Sequence, residues 1–394
     1  MKILIVNSVI DYGSTGRICI DAAKNLLEKG HEVKIAYGRD KAVFKDNSII
    51  GYRIGSKASV YMHGIFTRLF DAHGLGSIAA TKKFIRWANK FGPDVVWIHN
   101  IHGYYINYKI FFKWLRNKKI KVVWTLHDCW SFTGHCTHFE FIKCFRWQTC
   151  CYKCPQTKQY PTALISSARR NFLEKKKAFT SLSNLTIVTP SVWLSNLVLK
   201  SFLQKYPTKV INNGIDLNSF YFEKNGFREK YNIDNKKVIL CISSIWSDRK
   251  GLYDVFSMSK LLNENEVVVI VGRLNYKKTE DLPNNVILIE RTNDIDELRQ
   301  IYSSCDVMFN PTYEDTYSNI NMEALSCNTP VVCYKSGGAY EMLDKDFVVP
   351  QGSFKEALLV MRKIFNGSLK FNKPKQDFSS KKTILEYEEL LTNR

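Results

Sequence analysis

Residues 310–332 read NPTYEDTYSNINMEALSCNTPVV, a segment that is typical of a strand, a loop, a helix and a second strand in succession. The mainly apolar residues 306–310 predict a buried strand that ends at Pro311. Residues 320–326 contain neither Gly nor Pro and predict a helix, and a second buried strand is predicted at 330–334. This order is the repeating unit of an α/β fold with a parallel sheet.

Three acidic residues mark this segment. Glu314 and Asp315 fall on the predicted loop, and Glu323, eight residues after Asp315, falls in the first two turns of the predicted helix. Carboxylates suit the hydroxyl groups of a sugar, and free N–H groups at a helix start suit a phosphate. The segment therefore predicts a site for a phosphorylated sugar, with solvated acids on an ordinary loop as the alternative. The candidate N-cap residues of the helix are Thr316, Ser318 and Asn319.

The same alternation of short apolar runs and helix-forming segments extends over the whole chain. It predicts an α/β protein with two doubly wound parallel-sheet units in succession. In the first half, strands are predicted at 2–7, 32–36, 95–99, 121–126 and 185–189, and helices at 16–29 and 82–91. In the second half, strands are predicted at 209–212, 238–242, 267–271, 286–290, 307–310 and 330–334, and helices at 251–262, 295–303, 320–326 and 354–365. Residues 51–78 fit neither period.

The regular pattern lapses near residues 206–226, which predicts the boundary between the two units. We expect a first domain at 1–207 with a cysteine-rich insertion at 129–155, a linker at 208–225, a second domain at 226–378 and a C-terminal helix at 379–394. That helix could cross back to the first domain. In such folds ligands bind at the carboxyl ends of the strands, here in a cleft between the domains.

The chain is strongly basic, with 57 Lys and Arg against 37 Asp and Glu and a formal net charge of +20. Such a charge favours anionic partners. Nucleic acid is not expected among them, because no zinc-finger helix, RNA-binding sheet signature or basic-region zipper is present. The first apolar run is too short for a signal peptide, and no run of 18 apolar residues predicts a transmembrane helix. We expect a cytoplasmic protein that is able to bind the inner face of the cell membrane.

Two further segments suit an anionic ligand. Gly13, Ser14, Thr15 and Gly16 follow the first predicted strand, where glycine permits close backbone approach and the hydroxyls can donate to an anion. The pattern is not GxGxxG, which disfavours a nicotinamide cofactor. Arg249 and Lys250 follow the strand at 238–242 and suit a diphosphate. An ordinary turn and solvated surface charge are the respective alternatives.

His127 and a group of cysteines follow the strand predicted at 121–126. The histidine is placed for a cleft, or is structural. One set of four cysteines lies within 19 residues and includes a CxxC pair: Cys136, Cys144, Cys151 and Cys154. This spacing predicts a zinc site, which is structural because four thiolates leave no position open for chemistry. His135 and His138 are alternative ligands, and free or redox-active cysteines are the other interpretation.

These pieces together resemble the retaining glycosyltransferases of family 4, which have the GT-B fold, in the branch that makes bacterial surface polysaccharides of colanic-acid, capsule and O-antigen type. The resemblance extends over nearly the whole chain and rests on the order and spacing of its motifs. The motifs are MKILIVNSVIDYGSTGRI at the start, TLHDCWSFTGHC in the middle, NNGID, SDRKGL, and NPTYEDTYSNINMEALSCNTPVV followed by GGAYEML. The resemblance implies an acceptor-side first domain and a second domain that binds a nucleotide sugar.

The resemblance also implies roles for single residues in the second domain. Glu323 would bind the ribose of the nucleotide. Asp315, in the place of a usual Glu, would contact hydroxyls of the donor sugar, and Glu314 beside it is the other candidate. Lys250 would bind the diphosphate, and Arg249 would substitute for an Arg that the family usually has at position 244, which is a Ser here. The base would lie near Arg291 and Thr292.

Further contacts to the donor follow from the same resemblance. His127 would lie near the donor sugar. Backbone amides of two segments would meet the diphosphate: Gly13, Ser14, Thr15 and Gly16, and Thr316, Tyr317, Ser318 and Asn319. No catalytic metal is implied, and the two DxD triplets at 294–296 and 344–346 are interpreted as a helix start and a turn.

The implied reaction moves a sugar from a nucleoside-diphosphate sugar to a lipid-linked saccharide acceptor with retention of configuration. Aromatic and basic residues at 66–70 and 104–114 fit docking at an anionic membrane surface, with buried helices as the alternative. A nucleotide-sugar 2-epimerase on the same fold is the alternative enzyme. A non-catalytic protein that binds polyanions is the alternative of another class.

Overall fold

The computed structural model describes residues 1–10, 12–39, 48–274 and 282–393, which form two compact units. The first unit comprises Met1–Asn212 and the residues from Thr383 onward, and the second comprises Asn213–Lys382. Each unit is built on one parallel sheet with helices on both faces. The predicted fold class is therefore confirmed.

The first unit has a seven-stranded sheet in the order β3-β2-β1-β4-β5-β6-β7. Its strands are β1 (Lys2–Val9), β2 (Glu32–Arg39), β3 (Ile50–Arg53), β4 (Val95–Ile98), β5 (Lys121–Thr125), β6 (Leu185–Thr189) and β7 (Thr208–Val210). Its helices are α1 (Gly13–Glu28), α2 (Lys57–Phe70), α3 (Ile78–Phe91), α4 (Tyr108–Lys118), α5 (Ala168–Phe179), α6 (Val192–Leu199) and most of α12 (Ser380–Thr392).

Alternation along β1 builds the two cores of this unit, because successive side chains of a strand point to opposite faces. Leu4 and Val6 join the core under α3 and α4, whereas Ile3 and Ile5 join the core under α1 and α12. A strand that is buried on both faces has the continuous apolar sequence seen here. Helix α12 is fixed to this sheet by Tyr387, whose hydroxyl accepts a hydrogen bond of 3.1 Å from Thr125.

The second unit has a six-stranded sheet in the order β10-β9-β8-β11-β12-β13. Its strands are β8 (Lys237–Trp246), β9 (Glu266–Leu274), β10 (Val286–Ile289), β11 (Val307–Asn310), β12 (Val331–Tyr334) and β13 (Val348–Val349). Its helices are α7 (Phe227–Lys230), α8 (Leu252–Ser259), α9 (Ile295–Ser304), α10 (Asn319–Ser326) and α11 (Phe354–Phe365). Helices α9 and α10 cover one face of the sheet, and α8 and α11 cover the other.

Several predicted elements differ from the structure. The strand predicted at 209–212 is β7, which pairs with β6 and so belongs to the first sheet rather than the second half. Residues 51–78, which fit neither period, contain most of β3 and all of α2. Helix α1 begins at Gly13, so the predicted glycine loop forms the first turn of the helix. Strand β8 continues to Trp246 past an irregularity between Ile242 and Ile245, where a loop was predicted.

The two segments predicted to dock at a membrane have opposite environments. The aromatic residues at 104–114 are largely buried under the first sheet, so the prediction of a docking surface there is wrong. Residues 66–70 belong to α2, where Phe66, Leu69 and Phe70 are exposed. Within the described ranges, every helix is too short or too polar to span a lipid bilayer.

Candidate functional site

The candidate site of the second unit lies where its strand order reverses. Strands β8 and β11 are neighbours, yet the chain leaves β8 toward β9 and β10 and leaves β11 toward β12 and β13. The loops after two such strands diverge to opposite sides of the sheet and leave a crevice at its carboxyl edge. The predicted cations follow β8 and the predicted acids follow β11, so both sets stand at this switch point.

Two ion pairs join the loop after β8 to the loop after β11. Arg249 Nε lies 3.8 Å from Glu314 Oε2, and Lys250 Nζ lies 3.4 Å from Asp315 Oδ2. The Tyr313 N–H also donates to the Arg249 carbonyl at 2.9 Å. The structure thus brings together the four charged side chains that the sequence placed on two separate loops.

Gly251 allows the two loops to approach this closely. Its φ is +76°, and a Cβ atom at this position would lie 2.3 Å from the Pro311 carbonyl oxygen. Any other residue would therefore push the cation loop away from the acid loop.

Burial separates the two candidate acids. The Glu314 side chain is 2% exposed, whereas that of Asp315 is 22% exposed. The Asp315 carbonyl accepts a hydrogen bond of 3.0 Å from Gly338 N–H. Gly337, with a φ of +53°, packs so tightly here that an added Cβ would lie 1.9 Å from the Asp315 oxygen. Asp315 is therefore held in place by its backbone, and its carboxylate is the more accessible of the two.

Helix α10 begins directly after these acids. Of the three predicted N-cap candidates, Ser318 occupies the N-cap position, but its side chain makes no capping hydrogen bond. The Ser318 hydroxyl instead accepts a hydrogen bond of 3.2 Å from Asn310, so the first-turn N–H groups are not taken by this side chain. Asn319 is the first helical residue, and Thr316 and Tyr317 lie on the preceding loop, both buried.

Glu323 lies on α10 and is oriented by a tyrosine that the sequence did not single out. The hydroxyl of Tyr302, a buried residue of α9, donates a hydrogen bond of 2.8 Å to Glu323 Oε2. Tyr302 could not be found from sequence, because it lies on a different helix, 21 residues away along the chain.

The residues predicted near the base lie apart from this group. Arg291 and Thr292 follow β10 at the edge of the sheet, and strands β9 and β8 lie between β10 and β11. The two DxD triplets have the structural roles that were predicted for them. Asp294 caps α9 by accepting a hydrogen bond of 2.8 Å from Glu297 N–H, and residues 345–347 form a short helical turn.

In the first unit, Gly13 has a φ of +66°, a backbone conformation that favours glycine. Asn7 at the end of β1 braces the turn that follows, because its amide donates 3.3 Å to Thr15 Oγ1 and 3.0 Å to the Val9 carbonyl. Ser14 is exposed, and Gly16 is buried. The hydroxyl of Thr15 is thus already a partner of Asn7, and the hydroxyl of Ser14 faces solvent.

His127 stands at the carboxyl end of β5 against a second histidine. Its Nε2 lies 2.9 Å from Nδ1 of His99, which follows β4, and the two rings are stacked. Burial lowers the pKa of His127 to about 4, although the nearby charge of Asp128 acts to raise it. Both rings are therefore neutral at pH 7, since burial also holds the pKa of His99 well below its usual range.

A second pair of side chains at this edge of the first sheet, His102 and Asp128, was not predicted from the sequence. His102 Nε2 lies 2.7 Å from Asp128 Oδ2, and His102 Nδ1 lies 3.1 Å from the Tyr160 hydroxyl. Burial opposes the ionisation of Asp128, but His102 lowers the pKa of this carboxyl to about 2. The signal was present in the sequence, because His99 ends one predicted strand, His102 follows it, and Asp128 follows the next predicted strand.

The four cysteines predicted as metal ligands all line one small cavity in the first unit. They are free thiols, so none is in a disulfide. In the part of the chain that the structure describes, however, no group of three or more His, Cys, Asp or Glu side chains is arranged to hold a metal ion.

Two family descriptions match this chain. Residues 15–219, more than half of the chain, match "Glycosyltransferase Family 4". Residues 236–362, in the second unit, match "Glycosyl transferases group 1".

The chain is also similar to known proteins over most of its length. It is 25% identical over 362 residues to WcaC of Escherichia coli (strain K12), named as a colanic acid biosynthesis glycosyl transferase, across 88% of this chain and 86% of WcaC. Anabaena Alr3699/HepE, solved with UDP, has a TM-score of 0.70 at 16% identity, with 100% of both chains covered. WaaG, a glycosyltransferase involved in lipopolysaccharide biosynthesis, has a TM-score of 0.66 at 15% identity, again with 100% of both chains covered.

The structural likenesses support the GT-B fold, and the family matches give the class of activity. The chain belongs to glycosyltransferase family 4 and is a glycosyltransferase.

Proposed function

We propose that this glycosyltransferase moves a sugar from a nucleoside-diphosphate sugar to a growing, lipid-linked surface polysaccharide, with retention of configuration at the transferred sugar. The observation that carries the proposal is the meeting of Arg249 and Lys250 with Glu314 and Asp315 at the switch point of the second sheet. Cations for a diphosphate and carboxylates for sugar hydroxyls are the two groups that a nucleotide-sugar site needs.

Lys250 is the residue to which we assign the diphosphate. Its ammonium lies 3.4 Å from Asp315 Oδ2, at the longer end of ion-pair distances. A diphosphate carries more charge than one carboxylate and would compete for this cation. Release of Asp315 would then free its carboxylate for hydroxyls of the donor sugar. Glu314 stays buried against Arg249 and positions that cation.

The reaction breaks the bond between the sugar and the diphosphate, so negative charge grows on the leaving group. Lys250, Arg249 and the first-turn N–H groups of α10 would stabilise that charge, which is usually the largest single contribution of such a site. We propose that the acceptor attacks from the face that the diphosphate leaves, and that a diphosphate oxygen takes the acceptor's proton. This course preserves configuration without a protein nucleophile.

Glu323 would accept hydrogen bonds from the ribose hydroxyls. Its Oε2 already accepts one from the Tyr302 hydroxyl at 2.8 Å, which fixes the orientation of the carboxylate. The base would lie toward Arg291 and Thr292, at the carboxyl end of β10. HepE, solved with UDP, supports uridine nucleotides as the first donors to test.

In the first unit we propose two roles. The turn at 13–16 would donate backbone N–H groups to the diphosphate, and His127 would contact the donor sugar. The neutral His99 and His127 pair and the Asp128 and His102 pair together offer donors and acceptors for sugar hydroxyls at one sheet edge. The names of WcaC and WaaG support an acceptor in surface polysaccharide or lipopolysaccharide synthesis.

Helix α2 would bind the membrane that carries such an acceptor. One of its faces leaves six apolar side chains between 37% and 70% exposed: Tyr61, Met62, Ile65, Phe66, Leu69 and Phe70. An apolar face of this size on a monomer marks an interaction surface. The helix has no acidic residue, and Lys57, Arg68 and Arg170, which donates to the Phe70 carbonyl, are exposed. An apolar face rimmed by cations suits the surface of an anionic lipid bilayer.

The experiment that tests the donor site is a thermal-shift screen against UDP, GDP, ADP and their sugars. A nucleotide that binds the folded state raises Tm by mass action. We expect one nucleotide family to do so, and Lys250→Ala to remove most of the shift. Lys260→Ala, which changes an exposed lysine of the same unit, is the matched control and should keep it. An unchanged shift in Lys250→Ala would contradict the site.

A further inference from the structure

The insertion between β5 and α5 holds a second candidate site that sugar transfer does not use. Six of the chain's 11 cysteines lie in it, and four of these line one cavity of about 20 Å³: Cys136, Cys144, Cys151 and Cys154. A cavity of this size accommodates a single ion or water molecule. The sulfurs come from three chain segments, so an ion that they share would tie these segments together.

The thiols already contact one another and the backbone. Cys136 and Cys154 share a hydrogen bond, and Cys151 lies within electrostatic range of Cys144 and Cys154. Cys151 Sγ also accepts a hydrogen bond of 3.2 Å from Gly134 N–H. N–H donors of this kind stabilise a sulfur that carries negative charge.

The turn between Cys151 and Cys154 is fixed from outside. Arg146 donates hydrogen bonds of 2.9 Å to the carbonyls of Tyr152 and Lys153, and its guanidinium lies 4.4 Å from the centre of the Tyr152 ring. Lys153 has a φ of +39°, which turns the chain back so that both sulfurs reach the same cavity. The CxxC pair is therefore preorganised.

A buried cation next to the thiols points to an anionic centre. Lys175 of α5 is 1% exposed, and its ammonium donates to the carbonyls of Trp130 at 2.7 Å and Thr133 at 3.1 Å. Cys136 and Cys151 lie within its electrostatic range. A buried ammonium is costly unless anions compensate for it; the carboxylates of Asp71 and Asp128 contribute, whereas neutral thiols do not. Zinc with four thiolates carries a net charge of −2 and would.

His135 gives an independent indication of a ligand. It is buried and lines the same cavity, with its Nδ1 held 2.6 Å from Asp71 Oδ1. Its Nε2 has no hydrogen-bond partner within the described ranges. A buried imidazole nitrogen without a partner at the wall of this cavity could hydrogen-bond to a zinc-bound thiolate, as outer groups around zinc sites commonly do.

We propose that Cys136, Cys144, Cys151 and Cys154 bind one zinc ion as a tetrahedral, structural site, with His135 beside it. Because no ligand group is arranged around a metal position in the described ranges, binding requires rotation of the cysteine side chains and the release of thiol protons. The ion would fix the insertion against α5 and thereby the loop that begins at His127. Four protein ligands leave no open position, so the ion takes no part in chemistry.

The test is the zinc content of the full-length protein, purified without chelators and measured by mass spectrometry of the metal. We expect about one zinc ion per chain. Cys151→Ser and Cys154→Ser should lose it. Cys150→Ser is the matched control and should retain it, because Cys150 is adjacent to Cys151 but does not line the cavity.

Cobalt replacement in the wild-type protein keeps the test valid if the serine variants do not fold. Four thiolates around Co²⁺ should give intense sulfur-to-cobalt charge-transfer absorption and the visible bands of a tetrahedral ion. His135→Asn should keep this spectrum, and its loss would overturn the proposed ligand set. Folded wild-type protein that contains no zinc and gives no such absorption with Co²⁺ would overturn the site itself.

Discussion

Glu314 and Asp315 are neighbours in the chain with different surroundings, and this difference predicts different effects on mutation. Glu314 is buried beside Arg249, whereas Asp315 is partly exposed beside Lys250. Loss of a buried, paired charge mainly reduces stability. Loss of an accessible carboxylate that contacts substrate mainly reduces turnover.

We therefore expect Asp315→Asn to lower kcat/KM for transfer by roughly 100-fold, which is the size of effect seen when one contact that stabilises the transition state is removed. The Tm of this variant should change little. Glu314→Gln should lower Tm and reduce kcat/KM less. Steady-state kinetics and thermal unfolding of both variants check this. The reverse pattern would mean that Glu314 is the acid that contacts the sugar.

At the scale of elements, most strands could be predicted because strands buried on both faces leave continuous apolar runs, such as residues 3–6 of β1 and 267–271 of β9. Helix α2 was missed because its buried side chains are the polar His63 and Thr67 and most of its apolar side chains are exposed, which is the reverse of the usual helix pattern. The extension of β8 to Trp246 was missed because Ser243 and Ser244 resemble a loop.

The candidate site of the second unit was also predictable only in part, because sequence shows which residues follow a strand but not which strands are neighbours. Cations and acids after strands are visible in the sequence, but their pairing depends on β8 and β11 being neighbours in the sheet. Tyr302 reaches Glu323 from α9, and only the packing of α9 on α10 reveals it. Whether each predicted residue contacts the donor stays a prediction.

The exposed face of α2 leads to a prediction for membrane binding. The protein should co-sediment with vesicles that contain phosphatidylglycerol and less with vesicles of phosphatidylcholine alone, since both the apolar face and the cationic rim contribute. Phe66→Ser should weaken binding roughly tenfold, in line with removal of one buried aromatic side chain.

Leu359→Ser is the control for this measurement, because Leu359 is an exposed apolar residue of α11 in the other unit. It should leave vesicle binding unchanged. Equal vesicle binding by the wild-type protein, Phe66→Ser and Leu359→Ser would exclude α2 as the membrane-binding face. Concentration-dependent dimerisation that Phe66→Ser abolishes would instead assign the face to a second copy of the chain.

At the scale of the whole molecule, buried histidines make stability depend on pH. Burial lowers the pKa of His63 and of His127 to about 4, below the ordinary value of 6.5. The unfolded chain therefore binds protons between pH 6.5 and 4 that the folded chain does not. Stability is full above pH 6.5 and falls as the pH drops toward 4.

We expect the free energy of unfolding to decrease by up to about 2 kcal/mol per histidine at pH 5 relative to pH 7.5. Urea unfolding at both pH values measures this difference. His127→Asn should reduce the loss, because the variant lacks one of the groups that titrates. A stability that is constant between pH 7.5 and 5 would show that these rings take up protons equally in both states.

The central claim is that the switch point of the second sheet binds a nucleoside-diphosphate sugar for transfer. Release of nucleoside diphosphate from a labelled donor tests this claim most directly. We predict release that requires a saccharide-lipid acceptor and yields labelled glycolipid, and a fall of roughly 100-fold or more in Lys250→Ala. Conversion of the donor into its epimer, without net release of nucleoside diphosphate and without a labelled acceptor product, would indicate an epimerase. Full transfer by Lys250→Ala would contradict the account.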